Sequence, residues 1–166
     1  DICLKNAIPT PDYFMCWSNF KKSAAERFYF DACNFPNGYV IKPNSEGSSI
    51  GISININSQD SSEKSKQLFI KGWKKAKETC KNVYDKGWPT IVEEYIEGRE
   101  LTVSILDDKV LPIVEIIPKG DYYDYKSKYT KFQSEYVVPA EIDEKTQELL
   151  SAYSLKIHKL IGCGPY

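Results

Sequence analysis

Lys42 stands at the end of an apolar run, Tyr39-Val40-Ile41, and a few residues later comes Glu46-Gly47-Ser48-Ser49-Ile50-Gly51. A loop of such small residues leaves backbone N–H groups and hydroxyls able to face an anion, which is how a phosphate is cradled. Further on, Val92-Glu93-Glu94-Tyr95-Ile96-Glu97-Gly98-Arg99-Glu100-Leu101-Thr102-Val103 crowds carboxylates onto a strand and its exit, although acidic residues are poor strand formers. An extended segment there can offer N–H and C=O groups to an adenine edge, and a carboxylate after it can accept both ribose hydroxyls. A third stretch, Tyr122-Tyr123-Asp124-Tyr125-Lys126-Ser127-Lys128-Tyr129, packs tyrosines and lysines into a loop between strands. Such loops close over active sites, bring lysine charge to a transferring phosphoryl group and exclude water. Each stretch alone has a plainer reading: an ordinary hairpin tip, an edge strand charged against aggregation, a sticky surface loop.

The surrounding pattern predicts the elements that hold these stretches. Residues 1–37 contain Pro9-Thr10-Pro11, an aromatic group (Tyr13, Phe14, Trp17, Phe20) and a segment from Lys21 to Ala32 in which Ser23 caps a short helix. Tyr39-Val40-Ile41 reads as a buried strand ending at Lys42-Pro43, and Ile52, Ile54 and Ile56 alternate with polar residues as its hairpin partner. From Ser62 to Asp85 the residues Phe69, Trp73, Ala76, Cys80, Val83 and Tyr84 form one face of a helix ended by Gly87-Trp88-Pro89. Its many lysines are read as a solvated polar face rather than a nucleic-acid surface. Thr90–Tyr95, Leu101-Val103-Ile105, Val110–Ile117 after an Asp107-Asp108 turn, and Tyr136-Val137-Val138 predict an antiparallel sheet. Asp143 then caps a helix with Leu149, Leu150, Tyr153, Ile157 and Leu160 on one face. His158, beside that stripe, is read as a packing or surface residue.

With 166 residues, 42% of them hydrophobic, and 22 Lys+Arg against 23 Asp+Glu, the chain has the composition of a globular domain and not of a disordered tail. A net charge of −1 gives no long-range pull toward nucleic acid or anionic lipid, so neither is expected as a partner. Phosphate binding must come from local geometry. No apolar run approaches the roughly 18 residues of a membrane span, and the start is no signal peptide, so a cytoplasmic location is expected. Five scattered cysteines without Cys-x-x-Cys argue against a disulfide framework and a zinc site alike. Neither a P-loop nor a Gly-x-Gly-x-x-Gly dinucleotide motif is present.

In their order, these stretches resemble the central and early C-terminal part of a D-alanine–D-alanine ligase, a family of the ATP-grasp superfamily. The likeness spans nearly the whole chain: Ile8-Pro9-Thr10-Pro11, Val40-Ile41-Lys42-Pro43 with Glu46 to Ser53, Val92 to Val103, Leu111-Pro112 with Glu115-Ile116, Tyr123-Asp124-Tyr125 with Lys128-Tyr129, and Pro139-Ala140. It implies an α+β, ATP-grasp fold fragment: two small lobes of mostly antiparallel sheet with flanking helices around an ATP cleft. Residues 1–95 would form the central lobe, partial at its N-terminus, and 96–166 the first part of a truncated C-terminal lobe.

The resemblance also implies roles. In such ligases the first D-alanine's carboxylate attacks the γ-phosphate of ATP, and the second D-alanine's amine displaces phosphate from the acyl phosphate, giving a dipeptide for peptidoglycan synthesis. Lys42 resembles the lysine that touches the α-phosphate and base edge, and Ser48 and Ser49 the phosphate lid. Glu93, Glu94, Tyr95 and Ile96 match the adenine hinge, the last three mainly through backbone. Position 94 carries Glu where many relatives carry Lys. Glu100 matches the ribose-binding carboxylate, Tyr123 a nucleotide contact, and Lys128 the closing-loop lysine that neutralises the γ-phosphoryl group. Ser48 and Tyr129 match two members of a Glu–Ser–Tyr hydrogen-bond set that orients the first D-alanine, and the Lys128-Tyr129 pair favours an amine as second nucleophile. Asp124 is read as pinning its loop.

The family's N-terminal lobe, and the Arg-x-Asp and Glu-x-Asn segments whose carboxylates hold Mg²⁺, are expected before Asp1 and after Tyr166. Both ends look cut, no metal ligand is expected within the chain, and the 166-residue piece is expected to be inactive alone. Two other readings stay open at this stage: a nucleotide-binding ATP-grasp module without catalysis, and a ligase for another carboxylate and amine. Substrates D-alanine and ATP, and a homodimer of the full-length protein, are the partners implied.

Overall fold

The computed structural model describes residues 2–16, 28–29, 31–44, 46–56, 62–81, 89–120, 128–130 and 132–164, with backbone alone at 77 and 79–81. The chain divides into two compact units, Pro11–Glu97 and a second made of Asp1–Thr10 with Gly98–Tyr166.

Within Pro11–Glu97, strands β1 (Tyr13–Cys16), β2 (Tyr39–Pro43), β3 (Ser53–Asn55) and β4 (Thr90–Glu94) form an antiparallel sheet in the order β1-β4-β2-β3. Helix α2 (Glu63–Lys81) packs across it; a short helix α1 (Ile2–Lys5) precedes it in the other unit. The predicted stripe of α2 faces the sheet at Phe69, Trp73 and Ala76, all buried, while Val83 and Tyr84 lie outside the described residues. Ser62 Oγ accepts from the Ser65 amide at 3.3 Å and so starts the helix. Period-two alternation sends Tyr39, Ile41, Thr90, Val92 and Cys16 into the helix side, where all are almost wholly buried. There Phe69 meets Tyr29 and Tyr39 edge-on, with ring centroids 5.7 and 5.4 Å apart. Burial pushes the Cys16 thiol up to about 12, which leaves it an inert core residue and no nucleophile.

In the second unit, β5 (Glu100–Thr102), β8 (Val114–Pro118) and β9 (Ser134–Val137) form a three-stranded antiparallel sheet, and β6 (Ile105–Leu106) with β7 (Lys109–Val110) a small hairpin. The expected continuous strands over Leu101–Ile105 and Val110–Ile117 are each broken. Asp107 and Asp108 take φ of 49° and 60°, a two-residue turn that closes its own hairpin. Pro112 lacks an N–H to donate, and Ile113 instead accepts through its carbonyl from the Ala140 amide at 2.8 Å. Helix α3 (Glu144–Leu160) begins as predicted: Asp143 accepts from the Thr146 amide at 3.0 Å and from its hydroxyl at 2.5 Å. Those bonds hold the Asp143 carboxyl below its ordinary range. Ser23 and its expected helix lie largely outside the described residues.

Candidate functional site

Because Tyr39 and Ile41 point to the helix, Val40 and Lys42 point to the opposite face of the sheet, and the register Val40↔Glu93 and Lys42↔Ile91 puts Glu93 and Ile91 beside them. Met15 and Ile54, in register with Ile91 and Val40, join the same face. All four apolar residues are half-buried, uncovered by α2. On this platform the Lys42 ammonium donates to Glu93 Oε1 at 2.6 Å. A flat apolar surface carrying one cation and one carboxylate suits a heterocyclic ring joined to an anion.

Lys42 leads directly into the serine loop. There Ser48 and Ser49 have φ of 53° and 60°, and the Ile50 amide donates to the Gly47 carbonyl at 3.1 Å, a type I′ turn built without glycine at its centre. Two left-handed non-glycine residues cost about 1 kcal/mol or more each, and such strain gathers where a ligand is held.

After β4 the chain continues extended through Tyr95 and Ile96. The Glu94 amide donates to the Asp12 carbonyl at 2.8 Å and the Tyr95 amide to the Gly38 carbonyl at 2.9 Å. Among the described residues the Ile96 N–H has no protein acceptor, and its side chain is 57% exposed. Of the Glu94, Tyr95 and Ile96 amides, the first two are thus engaged by carbonyls and the third is not, among the described residues. Gly38 makes this possible: its φ is 113°, and a Cβ there would lie 2.0 Å from the Asn55 carbonyl oxygen.

In the second unit the register Glu100↔Ile116↔Tyr136 places these three in a row on one face of the sheet. Partial desolvation raises the Glu100 carboxyl, although the residue is exposed on its strand, and the nearby Lys128 cation opposes the rise, so Lys128 and Glu100 act on one another. On the reverse face Arg99 grips Glu115 through two bonds, Nε to Oε1 at 2.6 Å and Nη2 to Oε2 at 2.5 Å, and donates to the Glu141 carbonyl at 3.0 Å. That fork raises the Arg99 guanidinium and lowers the Glu115 carboxyl, and it fixes the strand entry from which Glu100 projects.

Of the residues singled out in the sequence, Lys42 and Glu93 come together as a pair, Ser48 and Ser49 form the turn, Glu94, Tyr95 and Ile96 follow one another at the exit of β4, and Glu100 and Lys128 interact. Tyr129 follows Lys128 in a helical turn and is 63% exposed. Tyr123 and Asp124 lie outside the described residues. Val40, Ile91, Met15 and Ile54 were not anticipated as a platform; the signal was an apolar sheet, both of whose faces are hydrophobic, with α2 on the opposite one. Arg99 was likewise missed. Among the described residues no three His, Cys, Asp or Glu side chains gather to hold a metal ion. No described helix is long and apolar enough to cross a membrane.

In fold the chain is similar, over 97% of its length, to an ATP-grasp ligase solved with a minimal precursor, Mg and ADP, at 15% identity and TM-score 0.53, covering 40% of that protein. The model of the family described as D-ala D-ala ligase C-terminus matches residues 3–165, and the chain belongs to that family. It is 38% identical over 131 residues to the D-alanine–D-alanine ligase of Zymomonas mobilis, covering 78% of this chain and 37% of that one. It is also similar to the solved D-alanine–D-alanine ligase of Bacillus anthracis, at 27% identity and TM-score 0.66, over 99% of this chain and 47% of that one. A second structure of the Bacillus anthracis enzyme is complexed with ATP, and there the match is 26% identical with TM-score 0.61, over 95% and 44% of the two chains. The chain therefore spans 37% of the curated relative and under half of the solved one.

Proposed function

We propose that this chain supplies the nucleotide-binding part of a cytoplasmic ligase that joins two D-alanine molecules through a D-alanyl phosphate, at the expense of ATP, for peptidoglycan precursors. The observation that carries the reading is the Lys42–Glu93 pair, 2.6 Å apart on a half-buried apolar face, on the strand that enters the left-handed Ser48-Ser49 turn. The apolar face takes the adenine ring, and the Ile96 N–H donates to a ring nitrogen. Lys42 meets the α-phosphate, and the amides of the serine turn meet the oxygens beyond it. Glu100 accepts the ribose hydroxyls, Tyr123 contacts the nucleotide, and Lys128 balances charge on the γ-phosphoryl group. Ser48 and Tyr129 orient the first D-alanine, whose carboxylate oxygen attacks γ-phosphorus as the bond to ADP breaks. The amine of the second then displaces phosphate.

Titration calorimetry with ATP and with adenosine tests the nucleotide reading. ATP is expected to bind more tightly than adenosine, and Lys42→Met to weaken ATP by about 10- to 100-fold, since a hydrogen bond to a charged group is lost. Absence of ATP binding overturns the proposal. D-alanine-dependent phosphate release with D-alanyl-D-alanine identified by mass spectrometry tests the chemistry, and ATP binding without such turnover by the protein expressed from its gene would leave a nucleotide-binding module only.

A further inference from the structure

The Ser48-Ser49 turn is strained, and strained backbone persists only where its surroundings over-determine it. Its incoming stem is secure: β2 lies between β4 and β3, and the Asn44 amide donates to the Pro89 carbonyl at 3.1 Å. The outgoing stem is not, because β3 is a three-residue edge strand paired with β2 alone. Helix α2 supplies the missing hold. Lys75 Nζ donates to the Ile52 carbonyl at 2.8 Å, at the residue that joins the loop to β3. One turn earlier on the same helix, Gly72 lets α2 close on that stem: a Cβ there would lie 3.0 Å from Ser53 Cβ and 3.2 Å from Ile41 Cδ1. Further down the strand, Asn55 Nδ2 donates to the Tyr39 hydroxyl at 2.9 Å and fixes the other end of β3.

We propose that Lys75 and Gly72 are positioning residues for the phosphate-holding turn: by clamping Ile52 and Ser53 to α2 they hold Ser48 and Ser49 in their left-handed conformation. The inference rests on the reading of residues 46–51 as that turn. Neither residue touches the nucleotide, and one of the helix's many lysines is thereby singled out from a solvated face.

The test is the affinity of ATP and of adenosine for the wild-type protein and for Lys75→Met, Lys75→Arg and Gly72→Ala, with hydrogen exchange of the Ser53–Asn55 amides alongside. Lys75→Met is expected to weaken ATP by about three- to tenfold, as one exposed charge-assisted bond is removed. Adenosine should change by less than about twofold, and amides 53–55 should exchange faster. Lys75→Arg, which keeps a donor, should restore much of the loss, and Gly72→Ala, which forces the helix off the stem, should weaken ATP without adenosine. Unchanged ATP affinity in Lys75→Met, or equal losses for ATP and adenosine, overturns the inference. Should the wild-type protein hold ATP no better than adenosine, the phosphate-turn reading itself fails, and the inference with it.

Discussion

Glu100 is the residue at which folding and binding make opposite demands. Burial raises its carboxyl above its unfolded value, and Lys128 only partly offsets this. A carboxyl raised in the fold contributes stability that is fully present below the unfolded pKa and lost as pH rises through the folded one. Because Glu100 is exposed on its strand, its ionised form works only weakly against the fold at neutral pH, while the same charge is the acceptor a ribose needs. Glu100→Gln should raise the thermal midpoint at pH 7, and the difference from wild type should vanish below the ordinary carboxylate pKa of 4.5, where both side chains are neutral. The variant should bind ATP roughly tenfold more weakly at pH 7. Wild-type affinity should weaken as pH falls, beginning above the usual carboxylate range, whereas the variant stays flat in that window. Calorimetric titrations and thermal scans over pH 4–8 measure both; equal midpoints at pH 7 with unchanged affinity would remove Glu100 from the site.

Among elements, α2 and β2 carry the unit that holds the platform, and Phe69 is their joint. It is wholly buried and meets Tyr29 and Tyr39 edge-on. Phe69→Ala should cost about 3–5 kcal/mol in urea unfolding, transfer and cavity together; a loss under about 1 kcal/mol would mean that the site collapses onto its neighbours. That joint was legible in the sequence, since Phe69, Trp73 and Ala76 recur at helical spacing, and so was the Asp143 cap, which is a local bond. The platform was not. Tyr39-Val40-Ile41 is apolar at every position, so periodicity cannot say that Val40 faces away from the helix while its neighbours face it. The left-handed Ser48-Ser49 turn was hidden for a different reason, because serine carries no signature of positive φ. Arg99 was hidden because its acceptors, Glu115 and Glu141, lie 16 and 42 residues away, and only folding brings them together. Order along the chain nominated the candidate nucleotide residues; how their backbone donors are shared was not legible, since the amides of Glu94 and Tyr95 are engaged by carbonyls from distant residues.

For the molecule as a whole, connectivity matters more than sequence neighbourhood. The first ten residues group with Gly98–Tyr166 and not with the strand they lead into, so the chain crosses between units twice, near Thr10 and near Gly98. Two anchors hold the early segment in its unit: Ile8 is 8% exposed, and Lys156 Nζ on α3 donates to the Asn6 carbonyl at 2.6 Å, just beyond the end of α1, which packs against α3. Ile8→Ala should therefore loosen a region distant in sequence. Loss of a buried isoleucine costs about 2–5 kcal/mol, and native-state hydrogen exchange should locate it. Amides of α3, residues 144–160, are expected to lose protection, while those of β2 and β4 keep theirs, because Cys16, Ile41 and Val92 form their core without Ile8. Uniform loss across both sets would mean that the two units unfold as one cooperative body, and loss confined to β2 and β4 would place the early segment with its sequence neighbours after all.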